Sequence, residues 1–162
     1  MKGIERFKEA QDDPGSGFDC ALGELQAGAK RSHWIWYVFP QLAGLGGSMA
    51  SQFFGIRSVK EAEDYLSDPL LRSRLLAVTR VVAEHLSSGA SLETLMGSSI
   101  DALKLVSSLT LFGALAERPR VVSDPAAHQE IVEFSGLAKQ VLDTADHQGY
   151  ARCAYTLDHL KS

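Results

Sequence analysis

The stretch DPLLRSRLLAVTRVVAEHL, residues 68–86, decides the fold class of this 162-residue chain. Its apolar residues recur at spacings of 4, 3, 4 and 4, at Leu71, Leu75, Val78, Val82 and Leu86. This spacing places them on one face of an α-helix. The Asp-Pro pair at its start favours a helix N-terminus, because Asp accepts hydrogen bonds from free amides and Pro suits the first turn. The stretch therefore predicts an amphipathic helix that ends near Gly89.

Helix signals of the same kind recur along the chain. Capping residues precede helical periodicity at Ser58, Ser98 and Asp124, and each predicts a helix start. Glycines at Gly28 and Gly97 follow two shorter periodic segments, and a glycine in that position is typical of a helix end.

Evidence for strands is thin. Val121-Val122 is too short to count as a strand, and residues 34–39 are apolar throughout, so their period is ambiguous. We predict an all-α fold, with orthogonal helix packing and little or no strand.

Length and composition are typical of one globular domain. The chain has 45% hydrophobic and 22% charged residues, close to the averages for folded domains. We expect a single helical domain over residues 1–162. Within it, we expect residues 1–17 to be partly flexible and residues 138–162 to form a helical C-terminal tail.

Charge and cysteine content exclude several functional classes. The net charge of −4 argues against nucleic-acid binding, which usually requires a basic surface. The N-terminus has no apolar signal-peptide run, and no apolar stretch approaches the roughly 20 residues that span a bilayer. Cys20 and Cys153 form neither a disulfide framework nor a zinc pattern. We expect a cytoplasmic protein that binds no membrane, metal or cofactor.

Two long motifs stand apart from the helical pattern. The first is KRSHWIWYVFPQL, residues 30–42, which runs into a glycine turn; the second is DALKLVSSLTLF, residues 101–112. Together they resemble the uncharacterised bacterial family known as domain of unknown function 1810, whose members are often mislabelled calpastatin. The residues that carry the resemblance are His33, Trp34, Trp36, Phe39, Pro40, Gln41, Gly44, Leu45, Gly46, Ser48, Glu61, Ala62, Tyr65, Leu66, Asp101, Lys104, Leu105, Ser107, Ser108, Thr110, Leu111 and Phe112.

The resemblance covers the chain from about Arg6 to about Phe134. It implies a mostly helical globular fold. It implies no activity, because the family has no established function. The chain beyond Phe134 is longer than the resemblance leads us to expect.

The second motif carries a polar stripe on an otherwise apolar helix. Asp101, Lys104 and Ser108 stand at i, i+3 and i+7, flanked by Ser107 and Thr110. A partly buried lysine needs a carboxylate, a carbonyl or an anionic ligand. The stripe is therefore either an anion site with hydroxyl donors or a structural pair between Lys104 and Asp101.

The first motif offers an imidazole among aromatic rings. His33 is a candidate acid or base, since its ordinary pKa lies near neutrality, or it orders the loop. Trp34 and Trp36 either stack on a planar ligand or belong to the core. Gln41 either recognises an amide or base edge or caps a neighbouring helix.

The glycine turn that follows the first motif is a weaker signal. Successive amides at residues 44–48 could form an anion nest to which Ser48 adds a hydroxyl. Lys30 and Arg31 either add charge to the same site or neutralise the end of the preceding helix.

The sequence therefore leads to two hypotheses. In the first, the protein binds a small anionic or nucleotide-like ligand in a cleft, as a binding protein or as a hydrolase or transferase. His33 and Lys104 are then the candidate catalytic residues. In the second, it is a non-catalytic helical module for protein interactions. Whether it is an enzyme stays open at this stage.

Overall fold

A computed structural model describes residues 3–120 and 124–161. It contains ten helices within those ranges: α1 (Glu5–Gln11), α2 (Phe18–Gln26), α3 (Ile35–Val38), α4 (Met49–Phe54), α5 (Val59–Ser67), α6 (Pro69–Ser87), α7 (Leu92–Met96), α8 (Ser99–Glu117), α9 (Pro125–His147) and α10 (Ala154–Leu160). The described residues contain no strand, only an isolated bridge between Leu42 and Ile56. The all-α prediction is confirmed. The segment Val121-Val122 lies outside the described residues.

The stretch that decides the fold is α6, as its pattern predicts. The Asp68 side chain accepts hydrogen bonds from the amides of Leu70 and Leu71 at 3.0 Å, and Pro69 begins the helix. Its apolar face is buried against α9 and α2. Beyond the end of α6, Gly89 adopts φ +95°, a conformation that favours glycine.

The central element is α8, which packs against α9, α7, α5 and α10. Among the described residues, α8 is the helix long and apolar enough to cross a membrane by length and composition, with a hydropathy of 1.4. However, 67% of that helix window is buried inside the protein. Such burial is typical of the core helix of a soluble protein.

The N-terminal segment contains a short helix held by a buried arginine. The Arg6 side chain is 1% exposed and pairs with Glu61 at 2.8 Å. It also donates to the backbone carbonyls of Phe53 and Gly55, both at 2.8 Å. These bonds fasten α1 to the end of α4 and to α5. The flexibility expected for residues 1–17 stays a prediction, and α1 itself was not expected.

The C-terminal tail is helical in two parts. The first part is the end of α9, after which Gly149 adopts φ +95° and the chain turns. The second part is α10, whose Tyr155 hydroxyl donates to the Ala43 carbonyl at 3.0 Å. The tail therefore packs back onto the glycine turn that follows the first motif.

Candidate functional site

The two motifs meet at a carboxylate shared by two lysines. The Lys30 ammonium lies 2.7 Å from one Asp101 oxygen, and the Lys104 ammonium lies 3.4 Å from the other. The Lys30 side chain is 4% exposed, whereas those of Asp101 and Lys104 are both 19% exposed. We refer to these three residues as the Asp101 cluster. Two ammonium groups against one carboxylate give it a net charge of +1 when all three are ionised.

Each ammonium group of the cluster also faces an indole ring. Lys104 Nζ lies 3.7 Å from the ring centroid of Trp36, and Lys30 Nζ lies 5.0 Å from that of Trp34. Both distances are within the range of cation–π attraction. Trp34 is fully buried, and Trp36 is half-buried with Lys104 over its ring.

Backbone contacts fix the position of Lys30. Its N–H donates to the Leu95 carbonyl at 2.8 Å, and its side chain donates to the Ser32 carbonyl. Gly97 passes so close that a Cβ there would lie 2.9 Å from the Lys30 carbonyl oxygen. Gly97 also has φ +85°, so a glycine is required at this position for two separate reasons.

Glu24 organises the loop that precedes the first tryptophan. Its carboxylate accepts hydrogen bonds from the amides of Arg31 and Ser32 at 2.7 and 2.9 Å. The Ser32 hydroxyl and the Trp34 indole N–H donate to it at 2.5 and 2.9 Å. Burial raises the pKa of Glu24, but these hydrogen bonds outweigh it and lower the pKa to about 2. Sequence reasoning missed Glu24, because its partners become visible only once the chain has folded.

Arg31 and His33 lie on the surface beside the cluster. Both are exposed. Arg31 is the one Lys or Arg in residues 3–120 and 124–161 whose side chain has neither an ion pair nor a hydrogen bond. The Ser32 carbonyl between them accepts from Lys30, so this loop adjoins the Asp101 cluster.

Three predicted hydroxyl residues lie deeper along α8. Ser108 follows Asp101 by seven residues, which is about 10 Å of helix. Its Oγ is buried and has no hydrogen-bond partner. Thr110 donates to the Val106 carbonyl at 2.7 Å. Ser107 is buried as well. These hydroxyls therefore do not share a surface with Arg31 and His33.

Gln41 and Ser48 both take part in local backbone structure. The Gln41 carbonyl accepts from the Ile56 N–H at 2.9 Å, and Gln41 is buried. The Ser48 hydroxyl caps α4 by accepting from the Ser51 N–H at 3.1 Å. In the same turn Gly44 has φ +96°, and a Cβ there would lie 2.4 Å from the Tyr155 hydroxyl. The tail thus packs directly against the proposed anion nest.

Comparisons with known proteins agree with the motifs. A family described as "Protein of unknown function (DUF1810)" matches residues 1–131. No protein with a curated description matches. The chain is similar to the crystal structure of the conserved hypothetical protein Rv1873 from Mycobacterium tuberculosis, at 35% identity and a TM-score of 0.70. That similarity covers 96% of this chain and 94% of the other. The chain belongs to the DUF1810 family of proteins of unknown function.

Proposed function

We propose that this protein binds a small anionic or nucleotide-like ligand on the surface formed by Arg31, His33, Trp36 and Lys104. The observation that carries the proposal is the excess of positive charge there. The Asp101 cluster holds two ammonium groups against one carboxylate. The adjoining loop adds the exposed, unpaired Arg31 side chain and the Glu24 carboxylate that accepts from its backbone, so the region as a whole keeps an excess of one positive charge. This local excess occurs in a chain whose net charge is −4, so this surface would attract an anion more strongly than the average surface of the chain does.

Different residues of this surface would have different roles in binding the ligand. Lys104 would supply the ammonium for a phosphate or carboxylate, and its contact with Trp36 holds it in place. Arg31 would supply a planar guanidinium, which can donate two parallel hydrogen bonds to one oxyanion. His33 supplies an imidazole, the side chain that most often serves as a general acid or base, so it is the group that a hydrolase or transferase reaction would use. We further propose a cytoplasmic location, which the two free thiols support.

Replacing Lys104 by methionine is expected to weaken anion binding about 10- to 100-fold, as for the loss of a charged hydrogen-bond donor worth about 1.5–3 kcal/mol. Methionine keeps the unbranched stem that packs on Trp36. Isothermal titration with inorganic phosphate, pyrophosphate, AMP and ADP measures the change.

Lys60→Met is the matched control, because Lys60 is 82% exposed and belongs to an ordinary surface pair on α5. It removes the same charge elsewhere and should leave affinity unchanged. The proposal fails if no probe binds the wild type, or if both variants lose affinity equally, since the second result would indicate a general charge effect.

A second candidate function is the non-catalytic interaction module. Ile100 and Leu103 are 63% and 53% exposed and flank the cluster on the first turns of α8. Exposed apolar side chains of this kind support protein contacts. The double variant Ile100→Ser and Leu103→Ser separates the two candidates. It should leave anion binding intact in titrations and abolish only the binding of a protein partner.

A further inference from the structure

A narrow cleft lies between α8, α9 and α10, away from the Asp101 cluster. One face of α8 supplies Thr110, Ala114 and Glu117, which stand at i, i+4 and i+7. The facing side of α9 supplies Lys139 and Leu142. Its volume is about 140 Å³. The cleft therefore has room for a small organic molecule.

The third wall of the cleft is held in place by three hydrogen bonds. The Cys153 N–H donates to Thr110 Oγ1 at 3.3 Å, and Arg118 donates to the Leu160 carbonyl at 3.1 Å. The Tyr155 hydroxyl donates to the Ala43 carbonyl at 3.0 Å. These bonds anchor both ends of α10, so the cleft is a built feature of the fold.

The two ends of the cleft carry opposite charge. Glu117 lies at the C-terminal end of α8, and no ion pair involves it within the described ranges. At the other end, Arg152 and Lys139 both pair with Asp143, each at 2.8 Å. Two cations against one carboxylate leave that end positive. Arg152 directly precedes Cys153, which contacts Thr110, and Thr110 to Glu117 is about 10 Å along the helix.

The middle of the cleft is apolar. Ala114 and Leu142 line it from α8 and α9, and Leu157 lines it from α10. At this level the two long helices approach closely, because Gly113 has no side chain and a Cβ there would lie 3.3 Å from that of Ala138. The lining of the cleft thus combines a carboxylate, an aliphatic surface and two cationic side chains.

We infer that this cleft binds an elongated zwitterion of the basic amino-acid class, with a cationic end at Glu117 and a carboxylate at Arg152 and Lys139. The aliphatic stem of such a ligand would cover Ala114 and Leu142. A short apolar amino acid lacks the distal cation, and a diamine lacks the carboxylate. Both should therefore bind more weakly than a ligand with both ends.

Isothermal titration of the full chain with four probes tests this inference. L-lysine and 6-aminohexanoate carry both charges and are expected to bind at least 10-fold more tightly than L-norleucine and cadaverine. Glu117→Gln is expected to weaken L-lysine binding at least 10-fold and to leave L-norleucine unaffected. Equal binding of all four probes, or no binding of L-lysine at millimolar concentration, would overturn the inference.

Filling the cleft with a larger side chain gives a second test, which has its own matched control. Ala114→Leu should abolish L-lysine binding, because the added side chain occupies the middle of the cleft. Ala126→Leu makes the same chemical change at an exposed position on α9 and should have no effect. If Ala114→Leu and Ala126→Leu bind L-lysine equally well, the ligand lies elsewhere and the assignment is wrong.

Discussion

Replacing Arg6 by alanine is expected to lower the free energy of unfolding by about 3–5 kcal/mol, the usual cost of removing one partner of a buried ion pair. The Arg6 guanidinium is 1% exposed and the Glu61 side chain is 12% exposed. Without the guanidinium, Glu61 would keep only its contacts with Arg57, and two carbonyls of the α4–α5 segment would lose their donor. Urea denaturation followed by circular dichroism measures the loss.

Arg80→Ala is the matched control for this prediction. Arg80 pairs with Glu133 at 2.6 Å, but both side chains are more than 40% exposed, at 45% and 44%. Exposed pairs of this kind contribute about 0–1 kcal/mol. The Arg6 substitution should therefore cost several times more. A loss at Arg6 no larger than that at Arg80 would show that α1 is not fastened by this arginine.

Helix starts could be predicted from the sequence because capping is local. Ser58, Ser98 and Asp124 cap α5, α8 and α9, each by accepting from a backbone amide two or three residues ahead. No tertiary information is needed for such a bond. The same holds for Gly97, whose φ of +85° is a property of the turn itself. The starts of α5, α8 and α9 were predicted correctly for this reason, whereas α1, α3 and α4 were not predicted.

The contacts that fasten the ends of the chain could not be predicted in this way. Arg6 and Glu61 are 55 residues apart, and in sequence Arg6 looks like any charged residue of an exposed terminus. Glu24 likewise resembles a surface residue of α2. A charged side chain can hold several segments together only when the fold brings several partners to it. The sequence pattern around that residue does not reveal those partners.

The candidate site was predictable in part. The expectation that the two motifs lie together rests on sequence resemblance and polar patterning, and the structure brings Lys30 and Trp36 against Asp101 and Lys104. The serines and threonine of the second motif are buried and do not reach the surface that carries Arg31 and His33, although Ser108 follows Lys104 by only one helical turn. Residues of one motif therefore need not share one site.

Glu24→Gln is expected to lower the free energy of unfolding at pH 7 by at most about 3.5 kcal/mol, because each unit of pKa difference between the folded and unfolded states corresponds to about 1.4 kcal/mol. Solvent reduces this value, since Glu24 is only half-buried. Burial raises the pKa of Glu24, yet hydrogen bonds from Ser32, Arg31 and Trp34 bring it from 4.5 to about 2. The glutamine keeps the shape of the side chain and removes its charge. Replacing the carboxylate should also change the fluorescence of Trp34, whose indole N–H donates to it.

The pH dependence of this loss follows from the direction of the pKa change. Because folding lowers the pKa of Glu24, its stabilisation is fully present above the unfolded value of 4.5 and disappears as the pH falls through about 2. The difference in unfolding free energy between wild type and Glu24→Gln should therefore be largest at pH 7 and shrink steadily below pH 4.5. Urea denaturation of both proteins across this pH range measures this difference. The contributions of the other titratable groups cancel, because the two proteins share them.

Asp143→Asn tests whether the loss of stability at Glu24 depends on the burial of the carboxylate as well as on its charge. Hydrogen bonds from Lys139 and Arg152 also lower the pKa of Asp143 to about 2, but this cluster lies on the surface, where Lys139 is 65% exposed. Solvent weakens such contacts, so we expect a clearly smaller loss at Asp143 than at Glu24. A pH-independent difference at Glu24 would mean that neutral hydrogen bonds suffice to hold the loop. The loop that presents Arg31 and His33 would then be positioned by shape alone, without the charge of Glu24.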